Sequence, residues 1–255
     1  MNSVNEEVAV SLGGTIELIP YLPELLSDIQ ELGGSAELIV NILKSMKFPD
    51  TTQVSCLDLG CGKGLIAVQI AKELGCKILG IDGMPSFIKD ANQLAAKKKL
   101  THLCTFKYGD IKERVNQLSD FDVVIFSAVG HLWGTFYKTL AELKKCIKTN
   151  GIIIIDDGYT ENNSGNESLY ITRNDAIKDI AENDIEILRE IVIGDDEIRT
   201  LNELNTSLIK KRADELKLKF PGKAKLFDDY VNHQKSETEI FGNKIKCVVW
   251  VLRKK

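Results

Sequence analysis

No apolar run in these 255 residues approaches the roughly 20 needed to cross a bilayer. No C-x-x-C pair occurs among the six cysteines, Cys56, Cys61, Cys76, Cys104, Cys146 and Cys247, so they read as neither a zinc site nor a disulfide framework. Cys56, Cys104 and Cys247 lie in strand-like apolar runs, where a free thiol behaves as a small buried hydrophobe. A basic excess is missing too. Against 37 Asp and Glu stand 33 Lys and Arg, a net charge of −4, which points to no nucleic-acid or anionic-membrane partner. Repeats and low-complexity tracts are absent, and the N-terminal stretch, with Glu6 and Glu7 and no basic flank, is unlike a secretory signal. Reduced thiols suit the cytosol. The expectation is a soluble cytoplasmic protein, monomer or homodimer, with no resident metal.

What is present is an ordinary globular balance, 44% hydrophobic and 27% charged residues, enough to fill the core of one α/β domain. Short apolar, β-branched runs alternate with longer amphipathic ones, the pattern of a parallel sheet with crossover helices. Strands are expected at Val54 to Leu59, Lys77 to Ile81, Cys104 to Tyr108, Phe121 to Ser127 and Ile152 to Asp156, the last preceded by a turn at Asn150-Gly151. Helical patterns fall at Leu65 to Leu74, Pro85 to Lys99, Phe136 to Cys146 and Thr172 to Glu182. Two more strands follow, Ile185 to Ile193 and Lys244 to Leu252. The segment between them places Ile198, Leu201, Leu204, Leu208 and Leu216 at helical spacing, breaks at Pro221-Gly222 and resumes over Ala224 to Gln234. Glu161 to Ser168 reads as a polar loop. Ahead of the first strand, Leu22 to Ile29 and Ala36 to Met46 look helical, separated by Gly33-Gly34. The chain thus divides into a helical extension (1–50), a sheet core (51–194), a helical insertion (195–243) and a final strand (244–255).

The turn Asp58-Leu59-Gly60-Cys61-Gly62-Lys63-Gly64 sits where the first strand hands over to a helix. Glycines there let a ligand approach the backbone, and the free N–H groups of the following helix favour an electron-rich group. A bend between strand and helix has structural uses as well. The spacing is G-x-G-x-G, not the G-x-G-x-x-G of dinucleotide sites, and the Walker pattern is absent because Gly64 follows Lys63. With Asp58 in front, the turn resembles the first motif, D-x-G-x-G-x-G, of the class I S-adenosylmethionine (SAM)-dependent methyltransferases. Ile81-Asp82-Gly83, Tyr108-Gly109-Asp110-Ile111, Phe121 to Ser127 and Asn150-Gly151 resemble the later motifs in order. The resemblance implies a Rossmann-like seven-stranded fold, mostly parallel, ordered 3-2-1-4-5-7-6 with the last strand antiparallel. It implies SAM as cosubstrate, S-adenosylhomocysteine (SAH) as product, and contacts from Asp58, Gly60, Cys61, Gly62, Gly64, Asp82, Gly83, Asp110, Ile111 and Ser127. Asp82 would accept the ribose hydroxyls. Asp110 would take the adenine amino group, with Ile111 on the ring, or would cap a helix, or both.

A sulfonium already activates its methyl group, so the protein mainly positions, desolvates and sometimes deprotonates the acceptor. His131, just after the fourth strand, is a candidate base, with loop orientation as the other reading. Trp133 is either a pocket wall or a core residue. Asp157 and Tyr159 are candidates to hydrogen-bond an acceptor or the cofactor's carboxyl group. Phe227 and Tyr230 either line the acceptor pocket or pack helices, and the two helical additions would form a lid by the same resemblance. The expected activity is methyl transfer to a small molecule. The rivals are a non-catalytic SAM-binding protein, an NAD(P)-dependent oxidoreductase of related fold, and an aminopropyl transferase.

Overall fold

The alternation of short β-branched runs with amphipathic ones becomes a sheet flanked by helices in the computed structural model, which describes residues 2–130, 132–161, 170–241 and 243–255. The elements are α1 (Asn2–Ser11), α2 (Leu22–Leu25), α3 (Ala36–Ser45), β1 (Ser55–Leu59), α4 (Leu65–Leu74), β2 (Lys77–Asp82), α5 (Pro85–Lys97) and β3 (Cys104–Tyr108). They continue as α6 (Ile111–Arg114), β4 (Phe121–Ser127), α7 (Phe136–Cys146), β5 (Ile147–Thr160), α8 (Arg173–Glu182), β6 (Ile185–Val192), α9 (Asp195–Lys219), α10 (Ala224–Ile240) and β7 (Ile245–Lys254). Among the described residues the strands form one seven-stranded sheet, β3-β2-β1-β4-β5-β7-β6, parallel over β1 to β5 with an antiparallel end. This is the expected order. Cys56, Leu57, Leu59, Val123, Val124 and Ile125 are fully buried, as strands covered on both faces require.

Local chemistry fixes the helix starts. Ser35 accepts the Leu38 N–H (3.3 Å) to open α3, Thr135 accepts the Lys138 N–H (3.2 Å) to open α7, and Pro85 opens α5. Of the described helices, none is long and apolar enough to cross a membrane. Two expectations shift. The fifth strand runs over Ile147–Thr160 rather than starting at Ile152, and Asn150-Gly151 lies inside it. Asn150 takes φ 63, and pairing jumps from Phe121↔Ile147 to Val123↔Ile152, so the apparent turn is a bulge within the strand. In α9 the buried face is Ile209, Ala213 and Leu216, while Leu204 is 56% exposed.

The chain groups into two compact units. The larger comprises Glu31–Asp157, Arg173–Ile191 and Val249–Lys255, and holds most of the sheet together with α3 to α8. The smaller comprises Met1–Gln30, Gly158–Thr172 and Val192–Val248. Within it, Tyr21 meets Phe220 and Phe227 edge-on at 5.3 and 5.1 Å, and the Tyr230 hydroxyl donates to the Leu12 carbonyl at 3.0 Å. The N-terminal extension is therefore divided: the chain up to Gln30 groups with α9 and α10, and α3 packs on α4 beside the sheet.

Candidate functional site

Parallel pairing brings the carboxyl ends of the strands level. Leu59 pairs with Ile81 and Phe126, Asp82 with Tyr108, and Ser127 with Asp156. Asp82, Ser127, Asp156 and the turn after β1 thus share one edge, at the point between β1 and β4 where the strand order reverses and ligands of open α/β sheets bind. The Gly60 and Cys61 N–H groups both donate to the Ile81 carbonyl, at 2.8 and 3.1 Å, which clamps the turn onto β2. Gly60 takes φ 79, and a Cβ there would lie 2.3 Å from Val129 Cγ2. At Gly62, φ 51, Leu32 Cδ1 is 3.4 Å from where a Cβ would stand, an ordinary contact distance, so the Leu32 side chain covers the backbone there.

Two acids face this turn in different ways. Asp82 accepts the N–H groups of Gly62 and Met84, each at 2.8 Å. A carboxylate has about four lone-pair sites, so two remain for a ligand. Burial lifts its pKa to about 6, with the two backbone hydrogen bonds pulling the other way. Asp58 is 1% exposed, and its Oδ2 has no hydrogen-bond partner among the described residues. Burial first, and then the charge of Asp82, lift it to about 7. A buried polar oxygen without a donor is costly unless something supplies one. Lys63, also buried, carries its ammonium 5.9 Å from the centre of the Phe87 ring, a contact that the sequence reading did not foresee.

Further along the edge, Asp110 caps α6 by accepting the Lys112 N–H at 2.8 Å, so its capping role is realised. Ile111 and Gly83 are buried beside their acids, and desolvation pushes the buried Cys61 thiol up. Ser127 donates to Asp156 Oδ2 at 3.2 Å, and burial lifts Asp156 to about 7. The sequence reading passed over Asp156 in favour of its neighbour, since nothing in the chain order announces its pairing with Ser127. His131 lies outside the described residues. Asp157 is half-buried and belongs to the larger unit, whereas Tyr159 is buried in the smaller one. Trp133 is half-buried against Phe126, with ring centroids 5.6 Å apart.

Comparison with known proteins turns on the same segment. A family described as a methyltransferase domain matches residues 50–216, about two thirds of the chain. The chain belongs to this methyltransferase-domain family. Tocopherol O-methyltransferase of Arabidopsis thaliana is 28% identical over 142 residues, covering 53% of this chain and 41% of that protein. Ubiquinone biosynthesis O-methyltransferase of Rickettsia prowazekii is 31% identical over 122 residues, covering 47% of this chain and 45% of that protein. The chain spans less than half the length of these two curated relatives. A SAM-dependent methyltransferase of Geobacter sulfurreducens, solved in complex with SAH, has a TM-score of 0.77 at 15% identity, covering 92% of this chain and 97% of that one. That likeness is one of fold.

Proposed function

We propose that this methyltransferase domain binds SAM at the turn after β1 and transfers its methyl group to a small-molecule acceptor. The observation that carries the reading is the Asp58 carboxyl: buried, near neutrality, with one oxygen unpartnered, at the strand end that leads into the glycine turn. Bound there, SAM supplies a methyl group already activated by its sulfonium, and leaves as SAH.

The residues present fit such a ligand. Asp58 Oδ2 takes a donor from its charged, amine-bearing end, where a low-dielectric site strengthens the contact. The spare lone pairs of Asp82 accept the two ribose hydroxyls, while the backbone N–H groups of Gly62 and Met84 hold that carboxylate in place. Ile111 and the Asp110 cap form the base-binding end. On the acceptor side we assign His131 to accepting the acceptor's proton and Asp157 to orienting the acceptor by a hydrogen bond. In support of a small acceptor, the two relatives named above are O-methyltransferases of tocopherol and ubiquinone biosynthesis. All six cysteines are free thiols, which supports a cytoplasmic location.

The test is ligand-dependent melting. SAH at about 100 times its dissociation constant stabilises the fold by about 2.7 kcal/mol, read as a rise in Tm. A rise with NAD and none with millimolar SAH overturns the reading.

A further inference from the structure

The segment from Glu31 to Ser35 crosses the strand ends described above. Leu32 lies against Gly62 of the turn after β1. A Cβ on Gly33 would stand 2.2 Å from the Ala128 Cβ, just beyond β4. A Cβ on Gly34 would stand 2.1 Å from both Ser127 Oγ and Asp156 Oδ2, at the ends of β4 and β5. Three successive residues thus lie over the turn after β1 and the ends of β4 and β5, and a side chain at the second or third place would displace what lies beneath. The seat beneath them is built rather than incidental. Ser127 donates to Asp156 Oδ2, the Ala128 N–H donates to the Asp156 carbonyl at 3.0 Å, and Ala128 is held at φ 54, a conformation a residue with a Cβ seldom takes. At its far end the segment is tied to α3: Glu31 Oε1 accepts the Ala36 N–H at 3.0 Å, and Ser35 is the cap.

We propose that Leu32-Gly33-Gly34 is a clasp that retains the cofactor on the glycine turn, and that Ser127 and Asp156 are positioning residues that seat it. The proposal rests on the reading that this turn takes SAM. With the clasp down, Gly34 lies over the half-buried Asp156 carboxyl, and lifting the clasp opens that carboxyl further to water. Burial in the seat raises Asp156 from an ordinary 3.8 to about 7. The groups bearing on it are the Ser127 hydroxyl from β4, Asp157 from its own strand and the uncharged Gly34 backbone from the clasp. Because the closed state holds the proton more tightly than the open state, closure is favoured fully below about pH 4. It weakens as pH rises towards 7, and is level above that. Cofactor release should therefore quicken across that range.

Asp58 and Asp82 also titrate near neutrality, so the wild-type profile alone does not isolate Asp156. Comparison with Asp156→Asn does, since both proteins keep the other two acids. The experiment follows dissociation of fluorescent or tritiated SAH from wild type, Gly34→Ala, Ser127→Ala and Asp156→Asn between pH 5.5 and 8. Release from wild type should quicken on the order of tenfold over this range. Asp156→Asn should lack that component, and Gly34→Ala should release at least about tenfold faster than wild type at pH 6. Hydrogen exchange on the wild type guards against a misfolded variant, because SAH should protect the amides of residues 31–35. SAH that binds wild type without protecting those amides, or an Asp156→Asn slope equal to the wild-type slope, overturns the clasp alone. Failure of wild type to bind SAH overturns the cofactor reading and the clasp with it.

Discussion

Two acids of the smaller unit, Asp28 and Asp214, and three at the strand ends of the larger, Asp58, Asp82 and Asp156, are treated in opposite ways. In the smaller unit, Asp28 is held below the usual carboxylate range by the Arg212 guanidinium, and Lys210 and Lys217 hold Asp214 at about 2. In the larger unit, burial lifts Asp82 to about 6 and Asp58 and Asp156 to about 7. Arg212 meets Asp28 with a forked pair of hydrogen bonds, and Lys210 and Lys217 reach Asp214 at 2.9 and 2.8 Å. At the strand ends, the contacts that hold Asp82 and Asp156 are backbone N–H groups and a hydroxyl, and one oxygen of Asp58 has no partner. Acids neutralised by lysine and arginine are finished structure. Acids left dry and half-satisfied are poised for a ligand, and pay for that readiness in stability.

The largest expected effect breaks the comparison at the backbone. Gly60→Val puts a Cβ 2.3 Å from Val129 Cγ2 at φ 79, combining left-handed strain with overpacking. Together these cost about 3 kcal/mol or more, and SAH binding should be lost with them. In the smaller unit, Gly194→Ala meets nothing within 4 Å at φ −62, and should move stability by no more than about 0.5 kcal/mol. Urea unfolding of the two variants compares them, and equal losses would remove the distinction.

Next comes Asp58→Asn. The folded-state value of about 7 lies above the ordinary 3.8, so this group's contribution to stability is fully present below pH 4 and is lost as pH rises through 7. Wild-type stability should fall over that window by up to about 1.4 kcal/mol per pH unit from this group. Asn removes that slope, and should leave the apo protein more stable than wild type at pH 8 while weakening SAH binding. A variant less stable at pH 8 would mean that Asp58 already has its donor. Asp82→Ala is smaller. It frees the N–H groups of Gly62 and Met84 and removes the ribose acceptor, for about 1–3 kcal/mol of SAH affinity by calorimetry. Unchanged affinity would remove the ribose assignment.

Much of this site was legible because its signals are local. The glycine spacing and Asp82 at the end of β2 follow from chain order and the period of apolar residues, and the strand order from the family resemblance that those motifs carry. What escaped depends on neighbours distant in sequence. Asn150-Gly151 reads as a turn, since only pairing with β4 shows that the strand continues through it. Leu204 has helical spacing yet faces solvent, because the partner helices select Ile209, Ala213 and Leu216 instead. Gly33-Gly34 looks like a plain separator between helices until Ser127 and Asp156 are found beneath it.

The smallest effect sharpens the contrast from the other side. Asp214 is depressed to about 2, so its contribution has the opposite sign to that of Asp58: present above about pH 4 and lost as pH falls through 2. Its side chain is 47% exposed, however, and its ion pairs with Lys210 and Lys217 lie in water and are screened by salt. Asp214→Asn should therefore lower Tm only slightly at pH 7, less still at 1 M salt, and should leave SAH affinity untouched. Asp58→Asn should show little salt dependence, because its charge is desolvated rather than paired. Melting both variants at low and high salt separates the two kinds of acid, and matching salt responses would show that the division between finished and waiting carboxylates is not real.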